Sequence, residues 1–241
     1  MIDVQHLWKE YGAVQALADV TFAVHDREVF GLLGRNGSGK TSLLRILTGL
    51  RLPTAGSVRV AGVDVIARPR LAQRAIGYMP EDPALYGGLT VRRYLRFVAD
   101  ARGLPRAGRE GRIEEVSARF GLGAVIDRLC AHCSKGYRGR VALAAAVLHQ
   151  PAVLFLDEPG AGLDPEQRVR THELIRALAA DCAVVLSSHD LHEVGALCSR
   201  VLILDRGTVA RAGTLQELGG VDGVASVFRD TRERVATGRA A

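Results

Sequence analysis

The stretch Gly34-Arg35-Asn36-Gly37-Ser38-Gly39-Lys40-Thr41 fits the pattern G-x-x-x-x-G-K-[ST], and it restricts the fold of this chain more than any other segment. Such a loop works only between a buried strand and a helix. The apolar run Val29-Phe30-Gly31-Leu32-Leu33 leads in, and Ser42-Leu43-Leu44-Arg45-Ile46-Leu47 leads out with helical spacing. Glycines let the backbone curl until successive N–H groups point inward, and the helix N-terminus behind them adds partial positive charge. Gly34, Arg35, Asn36, Gly37, Ser38, Gly39, Lys40, Thr41 and Ser42 are therefore expected to surround the phosphates of a nucleotide. Lys40 would reach the β- and γ-phosphates, and the Thr41 hydroxyl would ligate Mg²⁺. A Gly-rich turn with a surface lysine would share the motif but not its flanks.

Along the 241 residues, strand-like runs occupy 2–8, 18–25, 56–65 and 75–79, with a turn at Asp26-Arg27. The texture changes after Pro83. Val91–Gly103 and Ala107–Phe120 read as helices, with Arg92, Arg93, Arg96, Arg102, Arg109 and Arg112 on the polar side, and this helical insert runs to about 149. Strand signals return at Ala152–Leu156, Ala183–Ser187 and Val201–Leu204, separated by helical Pro165–Ala180 and Asp190–Cys198. That alternation predicts an α/β fold whose sheet is mostly parallel with crossover helices. The tail after Gly220 is expected to be a short helix and a frayed end.

Formal net charge is +6, and of 32 basic residues only Lys9, Lys40 and Lys135 are lysines. The 26 acidic residues are interleaved with them, which predicts a solvated arginine-rich surface rather than a nucleic-acid or membrane patch. Cys130-x-x-Cys133 has the spacing of half a zinc site, but no second cysteine pair completes it, so Cys130, Cys133, Cys182 and Cys198 are expected to be free thiols. The uncharged stretch Val141–Leu156 is too short for a membrane span, and no signal region opens the chain. A soluble protein is expected.

Val153-Leu154-Phe155-Leu156 ends in Asp157-Glu158. The strand carrying it is expected beside the P-loop strand, which would bring Asp157 to the Mg²⁺ shell. Glu158, one residue further, could orient and deprotonate a water aligned on the γ-phosphorus. His189 follows the strand Ala183–Ser187, where ligands bind in open α/β sheets, and could donate to a γ-phosphate oxygen. Ser134-Lys135-Gly136 precedes the apolar helix Val141–Leu148 and makes a second anion-binding N-terminus. One set of phosphates needs one cradle, so the second would serve a nucleotide on another chain. An ordinary helix cap fits the same residues.

The order of P-loop, Glu81 loop, Ser134-Lys135-Gly136, Asp157-Glu158, Gly162-Leu163-Asp164 and His189 resembles the ATP-binding subunit of an ABC transporter, over about residues 2–220. The resemblance implies a P-loop NTPase core at about 1–82 and 150–220, an N-terminal antiparallel β region, a helical signature subdomain at about 83–149 and a tail at 221–241. It implies ATP and Mg²⁺, and a head-to-tail homodimer or heterodimer with each ATP between the P-loop of one subunit and Ser134 and Gly136 of the other. Tyr11 would stack on adenine, Asp164 would lie at the seam, Glu158 would be the base, and Glu81 would join Thr41 and Asp157 at the metal. The partner implied is a separate membrane-spanning permease, with the chain peripheral at the cytoplasmic face.

Several positions depart from the family pattern. Cys133 and Tyr137 replace Leu and Gln at the ends of the signature, Lys135 replaces Gly, Gly160 replaces Thr or Ser, and Glu81 replaces Gln. Pro80-Glu81-Asp82-Pro83 with Ser134–Arg138 resembles the branch serving ABC-2-type exporters. A soluble ABC ATPase acting on ribosomes or nucleic acid is the alternative. It usually carries two cassettes or a long coiled-coil insertion, and this chain has neither; nucleic acid is not an expected partner. A GTPase would need Asn-Lys-x-Asp, and Asn36 is the only asparagine.

Overall fold

The computed structural model describes residues 1–236. Strands β3 (Val29–Gly34), β6 (Ile76–Met79), β7 (Val153–Asp157), β8 (Ala183–Ser188), β9 (Arg200–Asp205) and β10 (Thr208–Thr214) form a sheet in the order β10-β9-β3-β8-β7-β6. Every pairing is parallel except that of β10 with β9. β3, β7 and β8 are buried at every residue, which is why they read as unbroken apolar runs. Their side chains alternate between two cores. Phe30, Leu32, Phe155 and Val185 join one apolar cluster, while Leu33, Leu154, Leu156 and Leu186 join the other.

The first cluster is closed by α1 (Lys40–Leu47) and by an antiparallel sheet of β1 (Ile2–Tyr11), β2 (Val14–Val24), β4 (Ala55–Val60) and β5 (Val63–Asp64), ordered β2-β1-β4-β5. The second takes in Val91, Leu95, Ile113 and Val116 from α3 (Val91–Ala101) and α4 (Arg109–Arg119), together with the apolar half of α5 (Lys135–Val147). Cys133 is buried in this cluster and fills the place of the expected leucine. The four cysteines are free and buried. α6 (Pro165–Ala179) and α7 (Leu191–Leu197) cross between strands on the same face.

Four features differ from the sequence reading. The Asp157 strand, β7, is not beside the P-loop strand: β8 lies between them. β8 is apolar on both faces and so takes the central place. The run 56–65 is two strands, broken at Ala61-Gly62 where both residues have positive φ. β10 and the short α2 (Pro69–Arg74) have no counterpart in the periodicity, because β10 is an edge strand with no buried residue and α2 buries only Ala72. The tail helix α8 (Gly220–Ala236) is long rather than short, anchored by buried Val224. The frayed end expected beyond it falls outside the described residues.

Candidate nucleotide site

The loop after β3 closes on itself. Gly37 and Gly39 take φ of 81° and 108°, a region that L side chains rarely adopt. Gly39 has a second constraint, since a Cβ there would lie 2.6 Å from the Ala16 carbonyl of β2. The buried amine of Lys40 donates to the carbonyls of Gly34 (2.6 Å) and Arg35 (3.2 Å) and stands 3.7 Å from Glu158 Oε1. Burial pulls the Lys40 pKa down, and the carboxylates of Glu158, Asp157 and Glu81 pull it back up. Glu158 is the nearest of the three acids and the strongest of them in its effect on this amine. Ser38 Oγ is buried without a hydrogen-bond partner, a hydroxyl free to donate to an acceptor placed in the loop.

Glu158 turns the chain out of β7 at φ 49°, a costly conformation for a non-glycine residue. Its N–H donates to the Ser187 carbonyl (3.2 Å) and Oγ (3.1 Å), which fix the turn. Ser187 Oγ in turn donates to Asp157 Oδ1 at 2.5 Å, so one serine of β8 holds both the Asp157 side chain and the Glu158 backbone. His189 Nδ1 lies 2.8 Å from Glu158 Oε2. Burial raises the Glu158 pKa against the opposing pull of His189 and Lys40. A desolvated carboxylate with one oxygen engaged and the other facing a lysine is a stronger base than a solvated one.

His189 thus leans on Glu158 while also bordering a cavity of about 450 Å³ with Arg35, Asn36, Gly37 and Ser38. Thr41 is exposed at the first turn of α1. Tyr11 is exposed at the end of β1, with the Lys9 amine 4.8 Å over its ring, and does not border that cavity. Ser134, Gly136 and Asp164 come together elsewhere, around a cavity of about 220 Å³ that shares no lining residue with the first. Ser134 caps α5 by accepting from the Tyr137 N–H (3.4 Å), and Asp164 caps α6 by accepting from that of Gln167 (2.9 Å).

Sequence reasoning missed Ser187 and the buried cluster beside it. Ser188 donates to Glu193 at 2.7 Å, and His172 sits 3.3 Å from the same carboxylate. The signal was a pair of serines ending an otherwise apolar strand.

A family model described as ABC transporter matches residues 17–161. The chain belongs to the ABC transporter family. Among curated relatives, the uncharacterized ABC transporter ATP-binding protein YxlF of Bacillus subtilis is 36% identical over 218 residues, spanning 90% of this chain and 72% of that protein. The ABC transporter ATP-binding protein NatA of the same organism is 36% identical over 85% of this chain and 84% of its own length. A solved ATP-binding subunit of an ABC transporter superposes with a TM-score of 0.86 at 32% identity, covering 96% of this chain and 99% of that one.

Three of the departures from the ABC pattern, Gly160, Lys135 and Tyr137, make specific local contacts. A Cβ at Gly160 would stand 2.5 Å from Glu193 Oε1, so the buried carboxylate occupies the room a threonine would need. The amine of Lys135 lies over Gly162, where a Cβ would come within 2.1 Å of it. The Arg140 guanidinium stacks 4.2 Å from the Tyr137 ring.

Glu81 is exposed and close enough to Lys40 to act on its charge. The expectation that Glu81 joins Thr41 and Asp157 at the metal is tested by Glu81→Gln, which should weaken Mg²⁺ binding in the nucleotide complex, since an amide oxygen replaces a carboxylate. Identical Mg²⁺ titrations of the two proteins would remove Glu81 from the metal site.

Proposed function

We propose that this chain is the ATP-hydrolysing motor subunit of a membrane transporter, with Glu158 as its base. The observation that carries the reading is the placement of the Glu158 carboxylate, buried at the end of β7 between Lys40 and His189. Water attacks the γ-phosphorus and its proton passes to Glu158, while the bond to the β-phosphate oxygen breaks and ADP leaves. Lys40 binds the β- and γ-phosphates, exchanging its carbonyl partners for phosphate oxygens. His189 holds Glu158 through Oε2 and presents its exposed edge to the γ-phosphate.

The donor set fits Mg²⁺. Thr41, Asp157 and Glu81 offer oxygen only, and no group of three His, Cys, Asp or Glu among the described residues could hold a metal by itself. When bound with ATP, Mg²⁺ would neutralise charge on the phosphates. The separate cavity of Ser134, Gly136 and Asp164 supports a head-to-tail dimer, in which it meets the nucleotide of the opposing P-loop. Tyr11 is assigned to adenine on the family resemblance alone. The core at about 1–82 and 150–220, the helical part at about 83–149 and the tail at 221–241 are the units of this reading.

No helix among the described residues is long and apolar enough to cross a membrane. Attachment at the cytoplasmic face through a separate permease accounts for transport. The loop after Glu81 supplies a surface for it. Tyr86 and Phe97 are exposed, pack edge-on at 5.0 Å, and wall a cavity of about 430 Å³ with Leu89. Leu85 and Tyr94 pack inward against the core instead. Export as the direction rests on the likeness of Pro80–Pro83 and Ser134–Arg138 to the ABC-2 branch.

Tyr86→Ala should leave melting and basal phosphate release from Mg²⁺–ATP near normal, while co-purification with the permease falls about tenfold, the loss of an aromatic anchor. Unchanged co-purification would move the docking surface elsewhere. A wild-type chain that binds Mg²⁺–ATP yet releases no phosphate would overturn the motor reading itself.

A further inference from the structure

A cavity of about 870 Å³ opens between α2, the end of α3, the start of α4 and the end of α5, and it shares no lining residue with the nucleotide site. Arg70, Arg74, Arg102, Arg109, Arg112 and His149 line it, and no carboxylate does. The arginines come from two stretches of sequence, 70–74 and 102–112, and Arg102, Arg109 and Arg112 are half-buried in one wall while Arg70 and Arg74 are solvated as expected.

That wall is built. Arg102 donates to the carbonyls of Gln73 (2.9 Å) and Ile76 (3.2 Å). Arg112 donates to those of Leu148 (3.0 Å) and Val147 (3.1 Å), and Arg109 to that of Leu104 (2.5 Å). Carbonyl anchors fix guanidinium planes without cancelling their charge. Asp100 answers Arg109 and Glu115 answers Arg112. Arg70, Arg74 and Arg102 meet no carboxylate among the described residues, and Arg70 and Arg74 are exposed and make no hydrogen bond there.

Three guanidiniums without a carboxylate partner, one of them half-buried, face one cleft and give it a positive field that favours an anion. The field is felt inside the protein. His149 is driven down to about 4 by burial and by the charges of Arg102 and Arg112, so it stays neutral and the arginines alone supply the positive charge of the cleft.

We propose that this cleft binds a phosphate-bearing anion of two or more charges, recognised by Arg70, Arg74 and Arg102. Arginine forks match phosphate oxygens in pairs. The lining has no aromatic ring on which a nucleobase could stack and no acid to read sugar hydroxyls, so the phosphate is the recognised part. A soluble polyphosphate and the headgroup of an anionic phospholipid present the same chemistry.

Two probes separate these sources. Inorganic tripolyphosphate is titrated calorimetrically into the full chain saturated with ADP, which fills the P-loop. Vesicles of phosphatidylglycerol, against phosphatidylcholine, are tested by co-sedimentation. Saturable binding is expected to one probe at least. Arg70→Gln/Arg74→Gln should weaken it at least tenfold, since each charge-assisted pair lost is worth about a factor of ten. Melting and ADP affinity should be unchanged, because both side chains are exposed and unpartnered. If the double variant melts early, Arg70→Gln alone repeats the comparison. Response to tripolyphosphate assigns a soluble ligand, and response to vesicles alone assigns a lipid headgroup. Binding of neither probe, or binding that the variants leave intact, overturns the proposal.

Discussion

Glu158→Gln should bind ATP, lose turnover by a factor of about 10² to 10⁴, and accumulate as an ATP-bound dimer. The amide keeps the shape of the side chain and its place 2.8 Å from His189, but it cannot take a proton. It also withdraws the charge that stands 3.7 Å from Lys40, so the nearest of the carboxylates acting on the amine no longer competes with phosphate. Nucleotide affinity should therefore hold or rise while chemistry fails. The pH profile gives a second reading. Burial holds the Glu158 carboxyl above the ordinary glutamate range, and the base works only when ionised. The wild-type rate should climb with pH through that raised value and flatten above it; the residual rate of Glu158→Gln should lack this limb. Wild-type turnover in the variant, or an unchanged acid limb, would assign the base to another group.

Ser134→Arg should abolish the ATP-dependent dimer while leaving ATP bound to the monomer. The cavity it enters is about 220 Å³, bordered by Arg140 and Arg170 as well as Asp164, so a further guanidinium meets both bulk and like charge. Ser134 also caps α5, and losing that cap costs about 1 kcal/mol, a modest drop in melting. Ser134→Ala carries the same cap loss without the bulk and serves as the control: it should still dimerise. Size-exclusion chromatography in the Glu158→Gln background, where closure is trapped, gives the result. A stable ATP-dependent dimer of Glu158→Gln/Ser134→Arg would contradict the head-to-tail arrangement.

The sheet was legible because its central strands are buried on both faces and leave continuous apolar runs. Strand order was not, since a run such as Val153–Leu156 states that it is buried and not which strand it pairs with. The expectation that Asp157 lies next to the P-loop strand failed for that reason; β8 intervenes, and it is the Glu158 side chain that reaches Lys40. The P-loop lysine and the Asp157-Glu158 pair were readable as chemistry. The left-handed turn at Glu158 was not, because glutamate gives no sign that it will adopt positive φ. β10 escaped notice because an exposed edge strand needs no apolar pattern. The arginine-lined cleft escaped because its arginines sit on three elements and each alone looks like a solvated charge.

The tip of β8 has a role that none of its residues shows singly. Ser187, Ser188 and His189 are consecutive, and each contacts a different acid: Asp157 at the end of β7, Glu193 inside α7, and Glu158, the proposed base. Asp190, next in line, starts α7. Three successive positions thus join the reacting end of the molecule to a helix, with no flexible residue between them. A small rotation of α7 about this pivot would be transmitted to both acids at once, so mutational drift in α7 is not free to proceed independently of catalysis. Natural variation in α7 should therefore be narrow on the side facing Ser188 and broad on the other, a pattern of constraint set by leverage rather than by burial alone.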